Sequence, residues 1–215
     1  MRIKICGLTN VADARVAAEL GADAIGLNFY PKSKRSIDES TAAMILKEMP
    51  AFVDPVALFV NESIPEVVAR VRRLEGIRTV QLHGDDLEVV PNLAYSFIPA
   101  FSVRDEASLS MVDAYLVRCR ENGRLPTAVL LDAHVPGEYG GTGQTAPWDV
   151  LAKYSCEVPI ILAGGLTPEN VADAVRIVKP YGVDVASGVE LTPGKKDHEK
   201  MREFINAARG RNSSV

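Results

Sequence analysis

The residues best suited to chemistry stand at the ends of short apolar runs. Cys6 closes RIKIC, Asp132 closes AVLLD, Gln81 and His83 close TVQLH, and Asn28 with Phe29 and Asn61 end two further runs. A thiol, a carboxyl and an imidazole can each carry a proton in acid–base catalysis. Each also has a structural alternative: a free cysteine is commonly a small buried residue, and an aspartate after a strand often caps a helix. Two other runs end in glycine, at Gly164-Gly165 and Ser187-Gly188. Glycine lets the backbone approach an anion, and N–H groups, a hydroxyl and a helix N-terminus together form a phosphate site. Tight turns alone are the plainer reading of those glycines.

Elements are needed to gather these residues on one surface. Eight apolar or β-branched runs begin near Arg2, Ala24, Pro55, Thr79, Ser96, Ala128, Pro159 and Gly182, at intervals of roughly 17 to 32 residues, the size of a βα unit. Segments of helical period lie between them, and this alternation marks a parallel sheet covered by helices. Asn10 is placed to cap VADARVAAEL, with Gly21 at its C-terminal end, and Thr167, followed by Pro168 and Glu169, is placed to cap VADAVRIV, which Pro180 stops. Further helices are expected near Asp38 to Met49, Ile64 to Leu74, Asp105 to Asn122, Trp148 to Tyr154 and Asp197 to Arg209, with a short, weak one near Asp85 to Asn92. A doubly wound open sheet alternates similarly but usually stops at about five or six strands. Eight units favour one closed α/β domain, a single-domain (βα)8 TIM barrel over residues 1–210, with Arg211 to Val215 a disordered tail. In such a barrel the carboxyl ends of the strands face one mouth, and the last two loops commonly bind phosphate.

Composition sets limits. With 215 residues, 47% of them apolar, the chain can bury a substantial core without metals or disulfides. Its net charge of -4 comes from intermixed acids and bases, so no basic stripe exists to follow a nucleic-acid backbone. No run approaches the roughly 20 apolar residues of a membrane span, and Met1 to Gly7 is too short for a signal peptide. Neither nucleic acid nor membrane is expected as a partner, and a cytoplasmic location is. Cys6, Cys119 and Cys156 lack metal-site spacing and read as reduced thiols.

The segments KICG (Lys4 to Gly7), YPKSKRSI (Tyr30 to Ile37), QLHG (Gln81 to Gly84), LLDA (Leu130 to Ala133), GGTG (Gly140 to Gly143), LAGGLTPENV (Leu162 to Val171), and VDVASGVE with PGKKD (Val183 to Asp197) together resemble phosphoribosylanthranilate isomerase, in family order along nearly the whole chain. The resemblance implies an Amadori rearrangement of a phosphorylated sugar in tryptophan biosynthesis, without cofactor or metal. It implies Cys6 as general base and Asp132 as general acid. At their reference pKa values of about 8.5 and 3.9, only a few per cent of the thiol is ionised at neutral pH and about one carboxyl per thousand is protonated, so the site must help both. Lys4, two residues before Cys6 and on the same strand face, is the expected helper. Arg35 is expected to hold the substrate's aromatic carboxylate through two parallel hydrogen bonds, while Lys32 and Lys34 read as solvated. Gln81 and His83 are placed to contact the sugar, Asp184 to organise the phosphate loop or the substrate amine, and Gly164, Gly165, Ser187 and Gly188 to bind phosphate. GGTG is expected to form a lid. After it, Gln144 to Pro147 replace the family's Phe-Asp-Trp-like stretch, and Trp148 is kept. Cys119 and Cys156 read as core residues, and His134 and His198 as ordinary exposed histidines. A monomer and a homodimer remain open. The related isomerase of histidine biosynthesis has an aspartate at the position of Cys6, and a non-catalytic phosphate-binding barrel is expected to lose Cys6 or Asp132. This chain has both.

Overall fold

Eight strands, each a run of largely apolar residues, form a closed parallel barrel in chain order. They are β1 (Arg2–Cys6), β2 (Ala24–Asn28), β3 (Asp54–Val60), β4 (Thr79–His83), β5 (Ser96–Ser102), β6 (Val129–Asp132), β7 (Ile160–Ala163) and β8 (Gly182–Val185). Every strand begins within one residue of the start expected from its sequence. The computed structural model describes residues 1–85, 87–90, 93–132 and 148–211. Closure comes from β8 against β1, with Asp184 in register with Lys4. Alternation along the strands sends Ile3, Ile5, Ile25 and Leu27 outward into the layer beneath the helices. Ile98, Ala100, Leu130 and Ala163 fill the barrel interior.

The helices are α1 (Val11–Glu19), α2 (Glu39–Lys47), α3 (Ile64–Val71), α4 (Glu106–Glu121), α5 (Trp148–Leu151), α6 (Val171–Val178) and α7 (His198–Ala208). Asn10 caps α1 by accepting from the Asp13 N–H, and Gly21 follows the cap residue Leu20 with φ +95. Asp38, Asp105 and Asp197 cap α2, α4 and α7 in the same way. Helices α3 and α5 end three residues early. Arg73, Leu74, Lys153 and Tyr154 donate to the carbonyl three residues back rather than four, so each last turn tightens out of α geometry.

Two expectations need correction. Thr167 does not cap α6; Asn170 stands at that position, and its side chain accepts from the Thr167 N–H at 2.8 Å and donates to the Gly165 carbonyl at 2.9 Å. Those bonds hold Thr167 to Asn170 in a turn and delay the helix. No helix is found among the described residues of the 85–92 segment. One of its carbonyls is met from outside instead: Tyr115 donates to Glu88 O at 3.1 Å, and just beyond the segment the Arg124 guanidinium donates to Leu93 O and Tyr95 O.

A feature the sequence did not announce follows β8. A 3₁₀ turn (Ser187–Val189) leads into an antiparallel hairpin of β9 (Glu190–Thr192) and β10 (Lys195–Lys196), with Lys196 opposite Glu190. Among the described residues, no helix is long and apolar enough to cross a membrane.

Candidate active site

The β1 and β8 ends carry a buried ion pair beside a thiol. Lys4 Nζ donates to Asp184 Oδ1 at 3.0 Å, and the two residues are 4% and 8% exposed. Burial works against the Lys4 charge, yet Asp184 and Cys6 together outweigh it and raise the lysine above its usual pKa. Cys6 lies one step along the same strand face, 7% exposed. A Cβ on Gly26, its β2 neighbour, would lie 2.6 Å from the thiol sulfur, so glycine there leaves the space that the side chain fills. Lys4 is therefore where the sequence reading puts it, but its help is insufficient. Burial pushes the thiol pKa up, the charges of Lys4 and Lys196 pull it down, and burial wins. The net effect holds the Cys6 thiol above its usual pKa.

Around the rim lies a second charged group. Arg35 donates from Nε to Glu190 Oε1 at 2.7 Å and from Nη2 to Oε2 at 2.6 Å. Lys196 Nζ reaches the same Oε1 at 3.1 Å and the Ala186 carbonyl at 2.9 Å. Burial opposes the charges of both Glu190 and Lys196. At Glu190 the hydrogen bonds from Arg35 and the Lys196 charge prevail and hold the carboxyl below its usual pKa, whereas at Lys196 burial prevails and lowers the amine. Behind them the buried Asp13 accepts from Lys196 N at 3.0 Å and lies 2.8 Å from His198 Nε2. His198 is thus exposed but joined to a buried carboxylate, which ties α7 to α1. Lys32 and Lys34 are exposed, as expected.

Across the mouth, β4 presents Gln81 and His83. Gln81 Nε2 lies 2.7 Å from His83 Nε2. An amide N–H donating there needs an unprotonated ring nitrogen, and burial with the Lys4 charge lowers the His83 pKa to about 4, keeping the ring neutral. Gln81 Oε1 is buried without a hydrogen-bond partner among the described residues. Asp132 ends β6 half-buried between Ser102 and Ala163, and its carbonyl accepts from Val103 N at 2.8 Å. On the shorter way round the barrel, β7 and β8 separate it from Cys6.

The two glycine loops meet. Gly164 and Gly165 take φ +90 and +63 after β7. Gly188 approaches so closely that a Cβ would stand 1.9 Å from the Leu166 carbonyl oxygen. Only glycine permits that contact, which fixes the Ser187-Gly188 turn against the loop after β7. Cys119 is fully buried and Cys156 partly so, apart from this mouth. The expectations for His134, for GGTG and the stretch before Trp148, and for most of the tail fall outside the described residues.

The barrel thus brings Lys4, Cys6 and Asp184 together on one wall and Gln81 and His83 on another, with Arg35 at the rim. Sequence reasoning missed Glu190, Lys196 and Asp13 as members of the site. The one available signal was Leu191-Thr192-Pro193-Gly194, a turn sequence that folds Lys196 back onto Glu190.

Residues 3–207 match the family model described as N-(5'phosphoribosyl)anthranilate (PRA) isomerase. A protein of Pelobacter propionicus named N-(5'-phosphoribosyl)anthranilate isomerase is 44% identical over 210 residues, covering 97% of this chain and 96% of its own. Among solved structures, phosphoribosyl anthranilate isomerase from Thermotoga maritima superposes with a TM-score of 0.86 at 39% identity, covering 98% of this chain and 99% of the other. A phosphoribosyl anthranilate isomerase in complex with reduced 1-(o-carboxyphenylamino)-1-deoxyribulose 5-phosphate gives a TM-score of 0.83 at 36% identity over the same shares.

Proposed function

The chain belongs to the N-(5'-phosphoribosyl)anthranilate isomerase family and is an isomerase of tryptophan biosynthesis; from this premise we propose that Asp132 is its general acid and Cys6 its general base. Asp132 gives a proton to the ribose ring oxygen as the bond from C1' to that oxygen breaks, and the nitrogen lone pair forms the C1'=N iminium. The Cys6 thiolate then takes the C2' proton, and the freed electron pair moves to C1'=C2' while the iminium electrons return to nitrogen. The resulting enolamine ketonises by gaining a proton at C1' and losing one from the C2' hydroxyl. The isomerisation is balanced without any redox partner. The substrate's aromatic carboxylate sits on Arg35, a sugar hydroxyl donates to Gln81 Oε1 beside His83, Asp184 orients the substrate amine through its pair with Lys4, and Gly164, Gly165, Ser187 and Gly188 hold the phosphate.

The observation that carries this reading is a buried thiol flanked by two lysines in a mouth that also holds a buried acceptor, Gln81 Oε1, without a hydrogen-bond partner among the described residues. The test is fluorescence-followed consumption of freshly generated phosphoribosylanthranilate by the purified protein, without added metal. Cys6→Ser and Asp132→Asn are each expected to lower turnover by about two or more orders of magnitude while circular dichroism stays unchanged; near-normal turnover in either removes that residue from its role. Since the free thiol has a raised pKa, kcat/KM is expected to climb with pH into the alkaline range. A plateau already reached at pH 7 would exclude Cys6 as the titrating base.

A further inference from the structure

The Arg35–Glu190–Lys196 group is built asymmetrically. Glu190 has 5% of its side chain exposed and Lys196 none, while Arg35 keeps 24%. The Glu190 carboxylate is fastened from several directions: Oε1 accepts from Arg35 Nε, Lys196 Nζ and, at 3.3 Å, the Gly194 N–H, and Oε2 accepts from Arg35 Nη2. Swinging it aside would strand a buried lysine, a strongly unfavourable change. The arginine is thus the member that faces the mouth, and the carboxylate is the member that stays. Glu190 occupies the Nε/Nη2 edge of the guanidinium. The planar fork has a second edge, Nη1/Nη2, that can take another carboxylate in the same bidentate manner. Arg35 is further fixed by its stem, which crosses the backbone just after Cys6: a Cβ on Gly7, where φ is +72, would come within 2.5 Å of Arg35 Cδ. Two cations and one carboxylate leave this group one positive charge, while Lys4 and Asp184 neutralise each other.

We propose that Glu190 is a positioning residue: it grips one edge of Arg35 and thereby presents the other edge to the aromatic carboxylate of the substrate, with Lys196 retaining Glu190 in place. The inference rests on the reading that Arg35 receives that carboxylate. The hairpin of β9 and β10 exists, on this view, to bring Lys196 back onto Glu190.

The test is calorimetric titration of the full-length protein with two probes, the reduced carboxyphenylamino-deoxyribulose 5-phosphate and its phenylamino counterpart lacking the carboxylate. Glu190→Gln is expected to weaken the first probe about tenfold, as loss of one oriented charge-assisted contact does, and to change the second by less than about twofold. Equal weakening of both would mean a merely structural role and overturn the proposal, and tighter binding of the first would mean that Glu190 competes with substrate, which also overturns it. Arg35→Ala is the control. If it treats both probes alike, the carboxylate contact itself is wrong; if it discriminates and Glu190→Gln does not, only the positioning role falls. Should Glu190→Gln lack a cooperative melt, Glu190→Asp keeps a charge for Lys196 but shortens the reach to Arg35. The same split between probes is then expected, and its absence is equally fatal.

Discussion

Inward positions of β5, β6 and β7 carry Ile98, Ala100, Leu130 and Ala163, whereas those of β8 and β1 carry Asp184, Lys4 and Cys6. Both walls are buried, but they are stabilised differently. The apolar wall is held by removal of surface from water, which needs only approximate shape. The charged wall is held by pairing, and each group there depends on a specific partner because an unmatched buried charge is costly. One wall therefore tolerates change and the other fixes geometry.

Substitution can break this contrast at several strengths. The largest effect is expected from Lys4→Met, which leaves Asp184 buried without its partner and should cost about 3–5 kcal/mol in denaturant unfolding. The double variant Lys4→Met, Asp184→Leu should recover most of that stability but not the activity; if the single variant is nearly as stable as the wild type, pairing does not hold this wall. Next comes Leu130→Ala on the apolar wall, expected to cost about 3 kcal/mol while kcat/KM of the folded protein stays within a few-fold. A catalytic loss matching that of Cys6→Ser would show that the two walls are not separable. The smallest effect sharpens the picture at His83. Its pKa is about 4 when folded against about 6.5 unfolded, so between those values the unfolded chain binds more protons and stability falls as pH drops. From those values the loss from pH 7 to pH 5 is about 2 kcal/mol. His83→Gln should flatten that part of the melting-temperature profile, and an unchanged slope would mean that the ring titrates normally.

The same contrast explains what could be read from the sequence. The strands were legible because burial on both faces makes each a nearly continuous apolar run, as in Val129–Leu131 or Ile160–Ala163. The start of α6 was not, because the Asn170 side chain accepts from the Thr167 N–H and donates to the Gly165 carbonyl, which holds the residues before the helix in a turn. Cys6, Lys4 and Asp184 could be placed from strand alternation alone. Glu190 and Lys196 could not: two charged residues in a short segment after the last strand read as solvated, and only the hairpin and the nearness of Arg35 bury them. Arg35 itself was noticed, but not its partner, since nothing local links positions 155 residues apart.

The pairing of Lys4 with Asp184 spans 180 residues, and that of Asp13 with Lys196 spans 183. Contacts so distant in the chain carry a high contact order and form only after the intervening chain is organised. A nascent polypeptide that has made its first six or seven βα units therefore holds Lys4 without its counter-charge. Two of the thiol's charged neighbours, Asp184 and Lys196, can join it only when the last strand meets the first and the hairpin beyond it folds back.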